Sequence, residues 1–251
     1  MNNYINEFNT NGFVCLRNEL SNEEVKLVNE VANKIYNLPE VKNSYMKYYE
    51  KDNSKLLSRV EKIYNLDKNF KEFIDTRLHP IVEKITNKKL YLFKDKINWK
   101  LPGGGEFKAH RDFKAWSNFE PDYYVTLALC VDNCTILNGC LEMVKGKNKN
   151  IAEEDTGLLN ETEIKELTWE PMETSVHDIL IFDSLVPHRS SINNSNNTRR
   201  IFYFTYNPIE FGDLYEEYFK IKRKELPPPF ERDDNTQINH DSIYNLGNPI
   251  G

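Results

Sequence analysis

The stretch VHDILIFDSLVPHRSSINNSNNTRRIFYFTYNP, residues 176–208, contains the pattern that decides the fold. It starts with an apolar run, turns at a proline followed by His188, passes through a polar Ser/Asn loop, and ends in a second apolar run that opens with arginine. Short apolar runs bounded by turn residues predict β-strands. Runs of this kind lie at residues 90–99, 123–131, 141–144, 179–182 and 200–206. The sequence beyond residue 89 therefore predicts a series of short antiparallel strands.

Helical patterns precede these strands. Ser21-Asn22-Glu23-Glu24 has the form of a capping box, and apolar residues at helical spacing follow it as far as Leu38-Pro39. A second helical pattern covers residues 69–87, with an interruption expected at His79-Pro80. Helices first and short strands afterwards predict a mainly β protein with flanking helices: a double-stranded β-helix (jelly roll, cupin-like) with an N-terminal helical buttress.

The chain of 251 residues suits a single domain, residues 1–251, with a sizeable core. Within it we expect a mostly helical buttress over residues 1–89, a jelly-roll core over residues 90–208 and a C-terminal extension over residues 209–251. The extension contains three consecutive prolines at residues 227–229. We expect it to lie over the barrel as irregular coil or as a lid.

Two histidines and one aspartate form a candidate metal site. In an extended segment, residues two apart project to the same side, so His110 and Asp112 of the tripeptide His110-Arg111-Asp112 could bind one ion together. His188 would supply a third ligand from a distant strand. Two imidazoles and one carboxylate with open positions suit non-haem Fe(II). The tripeptide alone is a short pattern, and a histidine in an apolar strand is more commonly a structural residue, so its context carries the prediction.

An arginine follows the third candidate ligand at the start of the next apolar run. A cationic fork there could hold the far carboxylate of a dicarboxylate that chelates the metal. Both Arg199 and Arg200 are available, and strand alternation allows only one of them to face inward. The residues alone leave that choice open.

Four segments in this order resemble the phytanoyl-CoA dioxygenase-like (PhyH) family of Fe(II)/2-oxoglutarate-dependent oxygenases. They are FNTNGFVCLRNELSNEEVKLVNEVANKIY near the start, KDKINWKLPGGGEFKAHRDFKAW, NGCLEMVKGKNKN and VPHRSSINNSNNTRRIFYFTYN. The third segment departs from the family, because Lys145-Gly146-Lys147-Asn148 replaces the usual Pro-Gly-Ser-His ending. The resemblance covers most of the chain.

The resemblance implies the cofactors and the reaction. It assigns His110, Asp112 and His188 as the iron ligands and catalytic centre, Arg199 as the anchor of 2-oxoglutarate, and Ser190 as a second contact to the same carboxylate. Fe(II), 2-oxoglutarate and O2 would together hydroxylate an unactivated C–H bond and release succinate and CO2. In halogenating relatives a small residue replaces the carboxylate of Asp112, so its presence favours hydroxylation.

Two branches of the family offer closer resemblances. Residues 106–116 match the pattern EF-x-x-H-x-DF-x-x-W of ectoine hydroxylases, which implies that Asn98 and Phe107 line the cosubstrate site. Residues 225–251 look like a bacterial subgroup that includes 2-aminoethylphosphonate hydroxylases. Both branches act on small polar metabolites, so a small zwitterionic or anionic substrate is expected rather than an acyl-CoA. Candidate substrate contacts are Arg59, Arg111 and Trp116.

Composition limits the other possibilities. The net charge of −6 and the mixed charges favour neither nucleic acid nor an anionic membrane as a partner. No apolar run approaches the roughly 20 residues needed to span a bilayer, and the first residues do not resemble a signal peptide. We therefore expect a cytoplasmic monomer or homodimer that acts on a small molecule.

The cysteines fit a reducing compartment. Cys15, Cys130, Cys134 and Cys140 form no C-x-x-C pair and are expected to pack as free thiols. A zinc site made by the last three is the less favoured alternative, because its spacing lacks a paired knuckle.

Three other functions agree with parts of the pattern. A tailoring oxygenase of natural-product biosynthesis would perform hydroxylation, desaturation or ring formation on the same iron. A cupin-like metalloenzyme would use the metal without 2-oxoglutarate. A binding module that has kept the barrel would bind no metal at all. Dependence on 2-oxoglutarate separates the first of these from the second, and Fe(II) binding separates both from the third.

Overall fold

Eleven strands form the centre of the molecule in a computed structural model that describes residues 1–50, 53–146, 157–233, 236 and 244. The strands are β1 (Phe13–Leu16), β2 (Met46–Glu50), β3 (Asn53–Glu61), β4 (Leu90–Lys100), β5 (Phe107–His110), β6 (Val125–Cys130), β7 (Leu141–Val144), β8 (Trp169–Met172), β9 (Ile179–Asp183), β10 (His188–Ser190) and β11 (Arg199–Pro208). The strands expected beyond residue 89 are present with small shifts at their ends.

The strands form two antiparallel sheets. The larger sheet has the order β1-β9-β6-β11-β4-β3-β2, and the smaller has the order β5-β10-β7-β8. Strand β11 lies at the middle of the larger sheet, where it pairs with β4 on one side and β6 on the other. The two sheets with their flanking helices confirm the predicted double-stranded β-helix.

Both faces of the larger sheet are buried, which explains its long apolar runs. All six residues of β6 are buried. Val125, Leu127 and Leu129 pack in the same cluster as the N-terminal helices. Ala128 and Cys130 alternate with them and pack with residues of the smaller sheet. The period of two thus assigns one set of side chains to the helices and the other to the interior between the sheets.

The molecule has six α-helices in its described residues, and the first four pack against the outer face of the larger sheet. They are α1 (Asn2–Asn11), α2 (Asn22–Tyr36), α3 (Lys68–Phe73), α4 (His79–Thr86), α5 (Glu161–Glu166) and α6 (Tyr215–Glu225). The predicted capping box is confirmed at the start of α2: the Ser21 hydroxyl accepts from the Glu24 backbone N–H at 3.2 Å, and the Glu24 carboxylate accepts from the Ser21 N–H at 2.7 Å.

The second helical region is continuous, so the expected interruption at His79-Pro80 was wrong. A π-helical turn, Ile74–Leu78, joins α3 to α4. Its wider winding lets the His79 N–H donate to the Ile74 carbonyl, and Pro80 then lies in the first turn of α4. Proline is tolerated there because the first turn of a helix does not use that backbone N–H.

Both ends of the chain contain more regular structure than the sequence suggested. Residues 1–89 supply β1, β2 and β3 to the larger sheet as well as four helices. The extension was expected to be irregular coil or a lid, and it contains the helix α6, which packs against β4. Its buried residues follow a helical stripe: Tyr215, Tyr218, Phe219 and Lys222. The final residues 245–251, and Lys147-Asn148 of the departing motif, lie outside the described residues.

The four cysteines are buried and unpaired. The Sγ atoms of Cys130 and Cys134 lie 3.6 Å apart beside Thr174. In the parts of the chain that the structure describes, no helix has both the length and the apolar character to cross a membrane.

Candidate active site

Strand register brings the three candidate ligands together. His110 is the last residue of β5, and His188 is the first residue of β10 directly opposite it. Asp112 begins a short 3-10 helix, Asp112–Trp116, two residues beyond His110. The Asp112 carboxylate lies 3.6 Å from Nε2 of His110 and 3.8 Å from Nε2 of His188. One ligand atom from each residue lies within 4.8 Å of the others, a spacing that fits a single ion.

Backbone contacts orient both imidazoles toward this point. Nδ1 of His110 lies 2.6 Å from the carbonyl of Lys108, and Nδ1 of His188 lies 3.0 Å from the carbonyl of Val186. A protonated Nδ1 donates to its carbonyl, and this tautomer leaves the Nε2 lone pair available to a metal. Each histidine is therefore held by its own strand in a ligating orientation.

The electrostatics favour the ligating protonation states. Burial, reinforced by the neighbouring His110, lowers the pKa of His188 to about 4. Burial opposes ionisation of Asp112, but the imidazoles of His188 and His110 outweigh it and hold the pKa of this carboxyl well below its usual range. At neutral pH the site thus offers a neutral imidazole at His188 beside a carboxylate, a donor set that suits ferrous iron.

The two neighbouring arginines lie on opposite faces of β11. Arg199 is 1% exposed, lines the same cavity as the candidate ligands, and donates from Nη1 to the Gly139 carbonyl at 2.6 Å. Arg200 points outward and pairs with Asp132 at 2.7 Å. Side chains alternate between the two faces of β11, and in the structure this alternation places Arg199 inside and Arg200 outside.

Three polar side chains meet at the Arg199 end of the cavity. Lys100, at the end of β4, is 1% exposed and donates to the Ser190 hydroxyl at 2.7 Å. Burial and then the charge of Arg199 lower the pKa of Lys100 to about 6. Nε of Arg199 is buried and has no hydrogen-bond partner among the residues described. An unsatisfied buried donor beside a serine and a second cation fits a carboxylate group.

A single cavity contains all three residues of the triad. Four residues that the sequence singled out line it with the ligands: Arg59, Asn98, Phe107 and Trp116. Arg111 does not lie among the described lining residues. Its backbone is extended between His110 and Asp112, so its side chain projects away from theirs.

Sequence reasoning missed much of the polar wall. Lys100 was not singled out, and Lys96, Tyr203 and Thr205 also line or border the cavity. The signal was present in β4, where lysine or asparagine occupies every second position at residues 94, 96, 98 and 100. Polar residues at a period of two in a strand that is covered on both faces indicate a polar interior.

Comparisons with known proteins agree with this geometry. The family model described as Phytanoyl-CoA dioxygenase (PhyH) matches residues 8–201. The 2-aminoethylphosphonate dioxygenase of uncultured bacterium HF130_AEPn_1 is 34% identical over 251 residues, which cover 97% of this chain and 96% of that protein. The methylphosphonate hydroxylase of Gimesia maris is 29% identical, covering 88% of this chain and 85% of that protein.

A solved structure shares the fold at low identity. EctD from S. alaskensis, determined with 2-oxoglutarate and 5-hydroxyectoine, has a TM-score of 0.73 and 18% sequence identity, and the match covers 84% of this chain and 77% of that chain. The family match spans most of the chain and includes all three residues of the triad. The chain therefore belongs to the phytanoyl-CoA dioxygenase (PhyH) family of iron- and 2-oxoglutarate-dependent oxygenases.

Proposed function

We propose that this dioxygenase hydroxylates a carbon of a small organophosphonate. The observation that carries the proposal is the enclosed, cation-rich cavity around the triad, where four basic side chains besides Arg199 line the wall and Asp112 is the one carboxylate among the described lining residues. Such a wall favours a compact anionic substrate. Two relatives named for phosphonates support the substrate class.

In this proposal His110, Asp112 and His188 hold Fe(II). When bound, the metal supplies the activation of O2 that oxidises a C–H bond, coupled to conversion of 2-oxoglutarate to succinate and CO2. These three side chains would supply only part of the ligand set of the metal, which would leave positions for the cosubstrate. Retention of the Asp112 carboxylate supports hydroxylation as the outcome.

The far carboxylate of 2-oxoglutarate would lie at the Arg199 end of the cavity. Arg199 offers its unsatisfied Nε, and the Ser190 hydroxyl and the Lys100 ammonium lie beside it. Asn98 and Phe107 form adjacent wall. These groups would fix the orientation of the cosubstrate before substrate enters, since charge-assisted hydrogen bonds in a buried site are strong and directional.

The test begins with anaerobic titration of the protein with Fe(II) and 2-oxoglutarate. We expect the weak visible charge-transfer band of the chelate to appear, and 2-aminoethylphosphonate or methylphosphonate to stimulate succinate release in air. Asp112→Ala should abolish both signals, whereas Asp122→Ala, which alters an exposed carboxylate, should retain them. A folded wild-type protein without the band would contradict the cosubstrate assignment, and a band without phosphonate-stimulated turnover would contradict the substrate class.

The arginine pair provides a second, internally matched test. Arg199→Ala should raise the Kd for 2-oxoglutarate by at least about 100-fold, since it removes a buried charged partner of the carboxylate. Arg200→Ala should leave that Kd within about twofold and lower stability by about 1–3 kcal/mol, because its hydrogen bonds to Asp132 are lost. Equal effects of the two variants on cosubstrate binding would show that Arg199 is not the anchor.

A further inference from the structure

Two lysine side chains on the inner face of β4 form no direct ion pair with a described residue. Lys94 is 6% exposed, and it lines the cavity together with the partly buried Lys96 and the triad. Within the described residues, neither ammonium forms a salt bridge or a hydrogen bond. A buried cation without a partner carries a large desolvation cost. The arrangement therefore fits a site that is completed by an anion.

Two other buried cations near the cavity, Arg59 and Lys222, pair directly with a carboxylate, whereas Lys94 and Lys96 do not. Arg59 bonds to Glu61 at 3.3 Å and to Asn98 at 3.0 Å. Lys222 donates two hydrogen bonds to the same Glu61 carboxylate. Arg59 and Lys222 therefore take the hydrogen bonds of this carboxylate, and it acts on the β4 lysines only through longer-range attraction.

Aromatic rings hold the two ammonium groups at the wall. Nζ of Lys94 lies 4.8 Å from the centre of the Trp116 ring and 5.3 Å from that of Tyr218. Nζ of Lys96 lies 5.0 Å from the centre of the Tyr203 ring. Rings at these distances attract a cation through their faces and leave its remaining N–H groups able to donate to a ligand.

The position of the pair separates it from the cosubstrate end. Residues two apart on a strand project to the same face with a spacing of about 7 Å, a gap that one group with several oxygens can bridge. Lys100, at the Arg199 end, lies four residues further along β4, which is about 13 Å from Lys96 along the strand. An anion at the lysine pair is therefore a different group from the far carboxylate of 2-oxoglutarate.

We propose that Lys94 and Lys96 together bind the phosphonate group of the substrate and determine the preference for phosphonates over carboxylates of the same length. The inference rests on the proposed function and adds to it the residues that recognise the anion. A tetrahedral phosphonate presents three oxygens and up to two negative charges, so it can accept from both ammonium groups at once. A planar carboxylate presents two oxygens and one charge, and satisfies the pair less well.

The test compares Lys94→Gln and Lys96→Gln with Lys47→Gln, which removes a buried ammonium of the same sheet outside the cavity. Lys47 is 6% exposed and donates to the Leu38 carbonyl at 2.7 Å. We expect each cavity variant to lower kcat/KM for 2-aminoethylphosphonate by about 10- to 100-fold, mainly through KM, because a charge-assisted hydrogen bond is lost. Lys47→Gln should stay within about threefold of wild type.

Two further measurements distinguish the possible failures. Each variant should retain the charge-transfer band with Fe(II) and 2-oxoglutarate. β-Alanine is the carboxylate of the same length as 2-aminoethylphosphonate. In wild type it should compete for the site at least about 10-fold more weakly than the phosphonate, and this difference should be lost in the variants. Unchanged KM values for the phosphonate in both variants would overturn the inference, as would loss of the cosubstrate band in them. Absence of the band from wild type would instead overturn the proposed function.

If circular dichroism shows that one glutamine variant does not fold, the other glutamine variant and Lys94→Arg still test the proposal. Lys94→Arg retains the charge and should recover most of the affinity for the phosphonate. Recovery supports anion binding by this side chain, whereas an equal loss in the arginine and glutamine variants contradicts it.

Discussion

Lys100 illustrates how one buried side chain can serve binding at the expense of stability. Its ammonium is enclosed with the hydroxyl of Ser190 and the carbonyls of Ser190 and Ser191 as acceptors. Burial and the charge of Arg199 lower its pKa to about 6. Transfer of this lysine from water to the folded interior therefore costs free energy at neutral pH, and a bound carboxylate would offset that cost.

Lys100→Met should weaken the binding of 2-oxoglutarate and stabilise the protein without ligand. The pKa of Lys100 falls from 10.5 to about 6 on folding, so between these pH values the unfolded chain binds more protons than the folded chain at this residue. The contribution of Lys100 to the free energy of unfolding therefore rises with pH across that window. Denaturant titrations at pH 6.5 and 8.5 should show the variant gaining more stability at the lower pH.

The same variant should raise the Kd for 2-oxoglutarate by about 10-fold in the anaerobic titration, because one charged hydrogen bond is lost. Lys47→Met, at a buried lysine remote from the cavity, is the control. Wild-type affinity for 2-oxoglutarate in Lys100→Met would show that Lys100 has only a structural role.

At the scale of elements, the loop before β7 positions Arg199. Gly139 has φ of +71°, and a Cβ added there would lie 2.3 Å from the Ser191 carbonyl oxygen. Its own carbonyl accepts the hydrogen bond from Arg199. The loop can therefore approach the segment after β10 this closely only with glycine at that position.

Gly139→Ala should disturb both the fold and the cosubstrate site. We expect a loss of about 1–3 kcal/mol from backbone strain and a rise in the Kd for 2-oxoglutarate as the carbonyl shifts away from Arg199. Gly212→Ala is a matched control, because Gly212 has φ of +79° and no atom within 4 Å of an added Cβ. Urea denaturation and the charge-transfer titration measure the two effects. A change in cosubstrate binding in the control as well would contradict the assignment.

Helix α6 is joined to β3 by a buried ion pair. The ammonium of Lys222 and the carboxylate of Glu61, respectively 1% and 0% exposed, lie 2.6 Å apart. Burial opposes ionisation of Glu61, but the charges of Lys222 and Arg59 outweigh it and lower its pKa to about 2. The C-terminal helix thus contributes a charge to the wall behind Arg59.

Lys222→Met should destabilise the protein by about 3 kcal/mol, because it leaves a buried carboxylate with one partner fewer. The double variant with Glu61→Gln should recover at least about 1 kcal/mol of that loss. Since the pKa of Glu61 is below its usual 4.5 in the folded chain, its contribution is present above pH 4.5 and is lost as pH falls toward about 2. A double-mutant cycle by urea denaturation at pH 7 and pH 3.5 measures both effects, and strictly additive losses at pH 7 would contradict the coupling.

At the scale of the whole molecule, local patterns predicted the elements that obey one simple period. The strands β4, β6, β7, β9 and β11 alternate or run apolar, and α2 has a capping box, so their positions follow from propensity and spacing. The short strands β8 and β10 were not among the predicted runs. The hairpin of β2 and β3 was missed because charged residues interrupt its alternation. Helix α6 was missed because its few apolar residues lie among lysines and glutamates, and burial of Lys222 depends on Glu61 from a distant strand.

The candidate site could be predicted only in part for a related reason. The triad is recognisable because metal binding demands particular residue types at short spacing. The inward orientation of Arg199 depends on the register of β11 with β4 and β6, which no local pattern specifies. The lysines of β4 can be assigned to the cavity wall only once both faces of that strand are known to be covered.

The charged lining of the cavity predicts which substrates are disfavoured. Four basic side chains besides Arg199 line the cavity that would also hold 2-oxoglutarate, so its wall suits a compact anion better than the long apolar chain of an acyl-CoA. Palmitoyl-CoA should therefore give no succinate release above the rate without substrate, whereas 2-aminoethylphosphonate should. Stimulation by the acyl-CoA comparable to that by the phosphonate would contradict a small-substrate site.

The pairing of β1 with β9 imposes a delay between the synthesis of β1 and its incorporation into the sheet. Phe13 to Leu16 pair with Ile179 to Phe182, so an edge of the larger sheet joins residues more than 160 positions apart in the sequence. At about 5–20 residues per second, a ribosome needs roughly 8–30 s between making the two strands. Throughout that delay the four apolar side chains of β1 await their partner, a state that invites chaperone binding. Nascent chains stalled before residue 179 should leave this segment open to proteases, and chains released after completion should protect it.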